Sequence, residues 1–201
     1  MHRRLFIFGA PLALAGCGAA EPVWAPDEQV ARSVYRHPGP PSLTLYTVRN
    51  VGSDSGAHTG LMINASQRVM WDPAGTFKHE TFAERNDVIF GITPQIERIY
   101  RSYHARETYY IEIMELDVSA EAAERLLQLV MAYGAVPKAQ CAISTTTILK
   151  QVPEFAHFRV SFFPEVLAEQ FGALEGVRRS EFWEDNSGQN IETGALWARV
   201  P

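Results

Sequence analysis

The chain has 201 residues, 46% hydrophobic and 20% charged, with a formal net charge of -5. That length and composition suit one domain with a sizeable core, and the acidic balance argues against nucleic acid as a partner. It holds two cysteines, Cys17 and Cys141. With so few cysteines the fold must stand on its core rather than on a disulfide framework.

The first residues read as an export signal. His2, Arg3 and Arg4 are basic, and the apolar run LFIFGAPLALA is too short to span a bilayer comfortably. It ends in Leu14-Ala15-Gly16-Cys17, which resembles the lipobox of bacterial lipoproteins. That resemblance implies cleavage after residue 16 and lipidation of Cys17, with the protein held in the cell envelope facing the periplasm. Arg3-Arg4-Leu5-Phe6 is weakly similar to a twin-arginine signal. Gly18 follows the cysteine where an inner-membrane retention signal would have Asp, a hint toward the outer membrane. Residues 17–41, rich in Pro, Gly and Ala, are expected to form the lipidated cysteine and a tether, and residues 42–201 the folded domain.

Alternation predicts a strand over 43–50, then a hairpin from HTGLMIN (58–64) and QRVMWD (67–72) around Ala65-Ser66. A short strand is expected over 87–92. Thr93-Pro94 caps a short amphipathic helix, followed by a strand over 107–116. Ser119 caps a helix whose Ala123, Leu126, Leu127, Val130 and Met131 fall on one face, with Gly134 as its stop signal. A further helix is expected from Cys141 to Val152. Its Ser144, Thr145, Thr146 and Thr147 are poor helix formers, so it needs tertiary support. Pro164 opens another helix, and 176–185 reads as a late strand.

A lone thiol at a helix start is a common way to build a nucleophile, because the partial positive charge there favours the thiolate. His58 is the natural base, and the hairpin returns Asp72 alongside it as the group that fixes the imidazole. The Cys141 backbone N–H, aided by the Gln140 side chain, would supply an oxyanion hole. Taken singly, each residue has an ordinary structural role. A buried cysteine packs as a small hydrophobe, a strand histidine is hydrogen-bonded, and Asp-Pro starts a turn. Their joint arrangement points to catalysis. His79 or Glu80 remain alternatives to Asp72. Lys78-His79-Glu80 offers metal ligands without the HExxH spacing, so no metal or cofactor is expected. His37, His104 and His157 read as isolated solvated or loop residues.

HTGLMINASQRVMWDPAG and QCAISTTTIL resemble the circularly permuted branch of the NlpC-type papain-like superfamily, which includes lecithin:retinol acyltransferase-like enzymes. In that branch the histidine strand precedes the cysteine helix. The resemblance implies an α+β, papain-like fold with an antiparallel sheet packed on helices. It implies Cys141 as nucleophile, His58 as base and Asp72 as the third polar residue. Many permuted members carry Asn before the cysteine, where this chain has Gln140. The implied chemistry is attack on an amide or ester carbonyl by a peptidase, amidase or acyltransferase. Its substrate would be a peptide, peptidoglycan or an acyl lipid. A non-catalytic envelope lipoprotein on the same fold is the rival expectation.

Overall fold

The computed structural model describes residue 20 and residues 22–184. The export signal, Cys17 and the tail from residue 185 lie outside the described residues. The fold is α+β. A seven-stranded, wholly antiparallel sheet has the order β4-β5-β3-β2-β1-β6-β7. Its strands are β1 (Ser42–Asn50), β2 (Gly56–Asn64), β3 (Arg68–Trp71), β4 (Glu84–Arg85), β5 (Val88–Phe90), β6 (Tyr109–Asp117) and β7 (Arg178–Phe182). The helices are α1 (Asp27–Ser33), α2 (Pro94–His104), α3 (Ala120–Tyr133), α4 (Cys141–Leu149) and α5 (Pro164–Gly172). Among the described residues, no helix is long and apolar enough to cross a membrane.

Alternation along the strands sends side chains to two cores, because successive strand residues point to opposite faces. On one face Leu43, Leu45, Leu61, Ile63, Trp71 and Met114 pack against α3, α4 and α5. On the other, Tyr46, Met62, Met70, Ile111 and Ile113 pack with Ile99 and Tyr100 of α2. The sheet is therefore the middle of three layers, with α2 in front and α3, α4 and α5 behind.

The helix starts follow their capping chemistry. The Thr93 hydroxyl accepts from the Ile96 N–H at 3.3 Å, and the Ser119 hydroxyl from the Ala122 N–H at 3.0 Å. Gly134 takes φ +93° at the end of α3. Met131, which the periodicity of α3 assigns to the buried face, is 41% exposed; the buried stripe narrows to Val130 in the last turn.

Residues 22–41 depart from the expected tether, because this stretch is built onto the domain. The Ala25 N–H donates to the Glu84 carbonyl at 2.9 Å, the Asn86 N–H to Val23 at 3.0 Å and the Arg68 N–H to Tyr35 at 2.8 Å. Arg85 pairs with Asp27 and lies 4.5 Å from the centre of the Trp24 ring. The cause is the sheet edge. β4 is two residues long and its outer side would leave backbone groups unpaired, so the incoming chain covers it.

Candidate active site

The hairpin builds the first half of the site. Leu61 pairs with Trp71 and Asn64 with Arg68. Residue 72 therefore arrives opposite Gly60, one diagonal step from His58 on the same face. The Asp72 Oδ1 lies 2.7 Å from His58 Nε2. Two glycines make room for this carboxylate. A side chain at Gly60 would collide with the Tyr100 hydroxyl, and one at Gly75 with the Asp72 carboxylate itself. The Gly75 N–H also closes the turn by donating to the Asp72 carbonyl at 3.0 Å.

The second half comes from the layer behind the sheet. α4 starts at Cys141, which is 6% exposed. Each hydroxyl in its Ser-Thr run finds a partner inside the fold. Ser144 donates to the Cys141 carbonyl at 3.0 Å, Thr146 to Ala142 at 2.7 Å and Thr147 to Ile143 at 2.7 Å. Trp71 Nε1 donates to the Thr145 hydroxyl at 3.1 Å, tying the helix to β3 beside the site. Such back-bonds ordinarily weaken a helix, so packing on β2 and β3 sustains this one. α4 ends at Leu149, earlier than Val152, and a 3₁₀ turn follows at Pro153–Phe155.

α4 aims its N-terminus at β2, and this brings the Cys141 sulfur close enough to the His58 ring for the two groups to shift each other's ionisation. With Nε2 held by Asp72, Nδ1 is the nitrogen left for sulfur. The structure thus brings together Cys141, His58 and Asp72. Burial alone would raise the Cys141 thiol. The neighbouring His58 ring, with the Thr59 and Ala142 backbone N–H groups, outweighs it and holds the thiol below its usual value. Burial alone would lower His58, but Asp72 and Cys141 outweigh it and push the imidazole up to about 10. Asp72 is likewise penalised by burial, yet His58 holds its carboxyl low. The three shifts favour a thiolate–imidazolium pair backed by a carboxylate.

Two further residues come from α2. Tyr100 is fully buried and donates its hydroxyl to Asp72 Oδ1 at 2.8 Å. His104 stacks on His58 with ring centroids 5.5 Å apart and planes within 10°. Its Nδ1–H donates to the Tyr100 carbonyl at 3.0 Å. Burial drives His104 down to about 4, so it is neutral beside the cationic His58. His104 is therefore not an isolated solvated residue, as its sequence context suggests. The cue available was the i, i+4 step from Tyr100 on a capped amphipathic helix.

Gln140 is the N-cap residue of α4, and its side chain makes no cap hydrogen bond. Cys141 opens the helix, so its N–H belongs to the first turn, where no intrahelical acceptor exists. Just before them, Ala139 holds φ +64°, a left-handed conformation that costs a side-chain-bearing residue about 1–3 kcal/mol. His79 bonds the Thr81 hydroxyl at 2.8 Å, and Asp72 fills the orienting position that His79 and Glu80 were alternatives for. Among the described residues, the group able to hold a metal is His58, Asp72 and His104, whose ligating atoms lie within 4.8 Å of one another. Lys78-His79-Glu80 is not that group.

No protein-family model, no curated protein and no solved structure matches the chain.

Proposed function

We propose that the protein is a thiol enzyme of the bacterial cell envelope, attached by lipid at Cys17, with a circularly permuted papain-like domain. It attacks an amide or ester carbonyl. The observation that carries this reading is the His58–Asp72 hydrogen bond at 2.7 Å, with Cys141 at the helix start beside His58 and its thiol held low by that ring.

The reaction follows from that arrangement. The Cys141 thiolate adds to the carbonyl carbon, and the electron pair moves to the carbonyl oxygen. The Cys141 N–H and the Gln140 amide would serve as the donors to that oxygen. The intermediate collapses as the His58 imidazolium gives its proton to the departing amine or alcohol, leaving a thioester on sulfur. Neutral His58 then takes a proton from water or another acceptor, which displaces the thiolate. Asp72 holds the ring and favours its cationic form throughout. Water as acceptor makes a peptidase or amidase; a lipid or amine acceptor makes an acyltransferase. Peptides, peptidoglycan and acyl lipids all offer the required carbonyl.

A second reading is favoured by one observation. A polar cavity of about 390 Å³, lined by His37, Asn64, Arg68, Glu97 and Arg101 among others, suits a binding lipoprotein that performs no chemistry. Iodoacetamide labelling separates the two. Rapid modification of Cys141 well below pH 8 is the expected result for the enzyme, with turnover of muropeptides or phospholipids that Cys141→Ser abolishes. An ordinary thiol titration, with no turnover of either class, would overturn it.

A further inference from the structure

Single exposed hydrophobic residues are normal on a protein surface, but their clustering is informative. Nine large hydrophobic residues are exposed among the described ones, and six of them lie at one end of the molecule. Trp24 covers Arg85 at the end of β4. Val51 follows β1 directly. Tyr133 ends α3, its ring 5.5 Å from that of Trp71. Trp183 follows β7 and stacks on Tyr110 at 4.2 Å. Phe162 and Phe163 precede α5, whose first residues Pro164 and Glu165 crowd Gly56 at the start of β2. That end also carries His58, Asp72 and the start of α4.

We infer that this end of the molecule rests on a lipid bilayer, with the thiol site facing the membrane. Three observations favour a bilayer as the occupant. The rim is mostly Trp, Tyr and Phe, the residues that settle at the membrane–water interface. It is discontinuous, contributed by five separate segments, which fits a planar fluid surface better than a shaped groove. The described chain enters at this same end, where Val23 bonds Asn86. Trp24 lies seven positions after Cys17, a span of at most about 25 Å. For the anchor, and only there, the inference rests on the lipoprotein reading. Substrate carbonyls would then be met at the height of the headgroups, and a rim of aromatic side chains would hold the sulfur there.

The test uses the full chain carrying Cys17→Ser and Cys141→Ser, so that one introduced thiol takes an environment-sensitive nitrobenzoxadiazole label. Phe162→Cys labels the rim. Lys150→Cys labels the exposed far end of α4. With phosphatidylethanolamine–phosphatidylglycerol vesicles, emission at 162 rises about twofold or more and becomes resistant to dithionite, while emission at 150 does not change. Equal behaviour at the two positions, whether both change or neither does, overturns the inference. So does a rise at 162 that needs no vesicles and follows protein concentration, which would mean that a second copy covers the face. The anchor is tested separately, by the intact mass of wild-type protein extracted from envelopes. Cys17 without added acyl mass removes the anchor and leaves the vesicle result standing.

Discussion

One helix serves two buried polar clusters, and they differ in kind. Along one stripe, α2 gives Glu97 and, one turn later, Arg101 to a cluster with Arg68 and Tyr46. Tyr46 donates to Glu97 Oε1 at 2.8 Å, and both arginines pair with the same carboxylate. Along the neighbouring stripe, α2 gives Tyr100 and His104 to the cluster of Cys141, His58 and Asp72. In the first, burial opposes ionisation of Glu97, but Arg101 and Arg68 overrule it and hold the carboxyl low. Glu97 therefore stays ionised across any physiological pH, while burial keeps the Tyr46 phenol neutral. In the second, an acid and a base are shifted toward each other, so that a proton can change hands. Both clusters bury charge, but the nearby cavity belongs to the first and the nucleophile with a transferable proton to the second. Depth and concavity are therefore poor guides here, and proton lability is the better one.

The comparison breaks if the two clusters respond alike to substitution. The largest effect is expected at Glu97. Glu97→Gln strands Arg68, whose side chain is 5% exposed, and should cost about 3–5 kcal/mol in urea denaturation. The pH profile of Cys141 alkylation should be unchanged in that variant. His58→Ala should do the reverse. Alkylation of Cys141 at pH 6 should fall tenfold or more, since each unit of thiol pKa is roughly tenfold in thiolate. Its stability should fall by less than that of Glu97→Gln. Asp72→Asn should reduce alkylation less than His58→Ala, because the hydrogen bond to the ring persists while the charge is lost.

The smallest effect sharpens the contrast through pH. His104 is held near 4 when folded, against 6.5 unfolded, so the unfolded chain binds the extra proton first. Stability should then decline as pH falls from about 6.5 toward 4. His58 does not offset this, because its raised value of about 10 keeps it protonated throughout that window. His104→Gln should flatten the decline, measured as the urea midpoint at pH 6.5 and pH 4.5. Equal slopes for the two proteins would remove His104 from the titration.

The half of the site built by local pairing was legible in the sequence. HTGLMIN, a short turn and QRVMWD specify a register, and the register delivers Asp72 to His58. Cys141 was legible as the start of a helix, although nothing in AQCAISTTTILKQV fixes which strand that helix meets. Tyr100 and His104 were not legible as site residues. They reach the site by the packing of α2 on the sheet, a long-range contact with no periodic signature. The N-terminal segment misled for a related reason. Its Pro- and Gly-rich composition describes its own stiffness, whereas its structure answers the unpaired edge of β4, more than forty positions away.

Sulfur, imidazole and phenol are supplied by three different layers: Cys141 from behind the sheet, His58 from within it, Tyr100 from in front. Each layer is held by its own apolar contacts. Any slippage between them lengthens the sulfur–nitrogen gap before a single strand has come apart. The alkylation rate of one cysteine should thus act as a strain gauge for the whole domain, falling at denaturant concentrations that leave the circular dichroism spectrum intact.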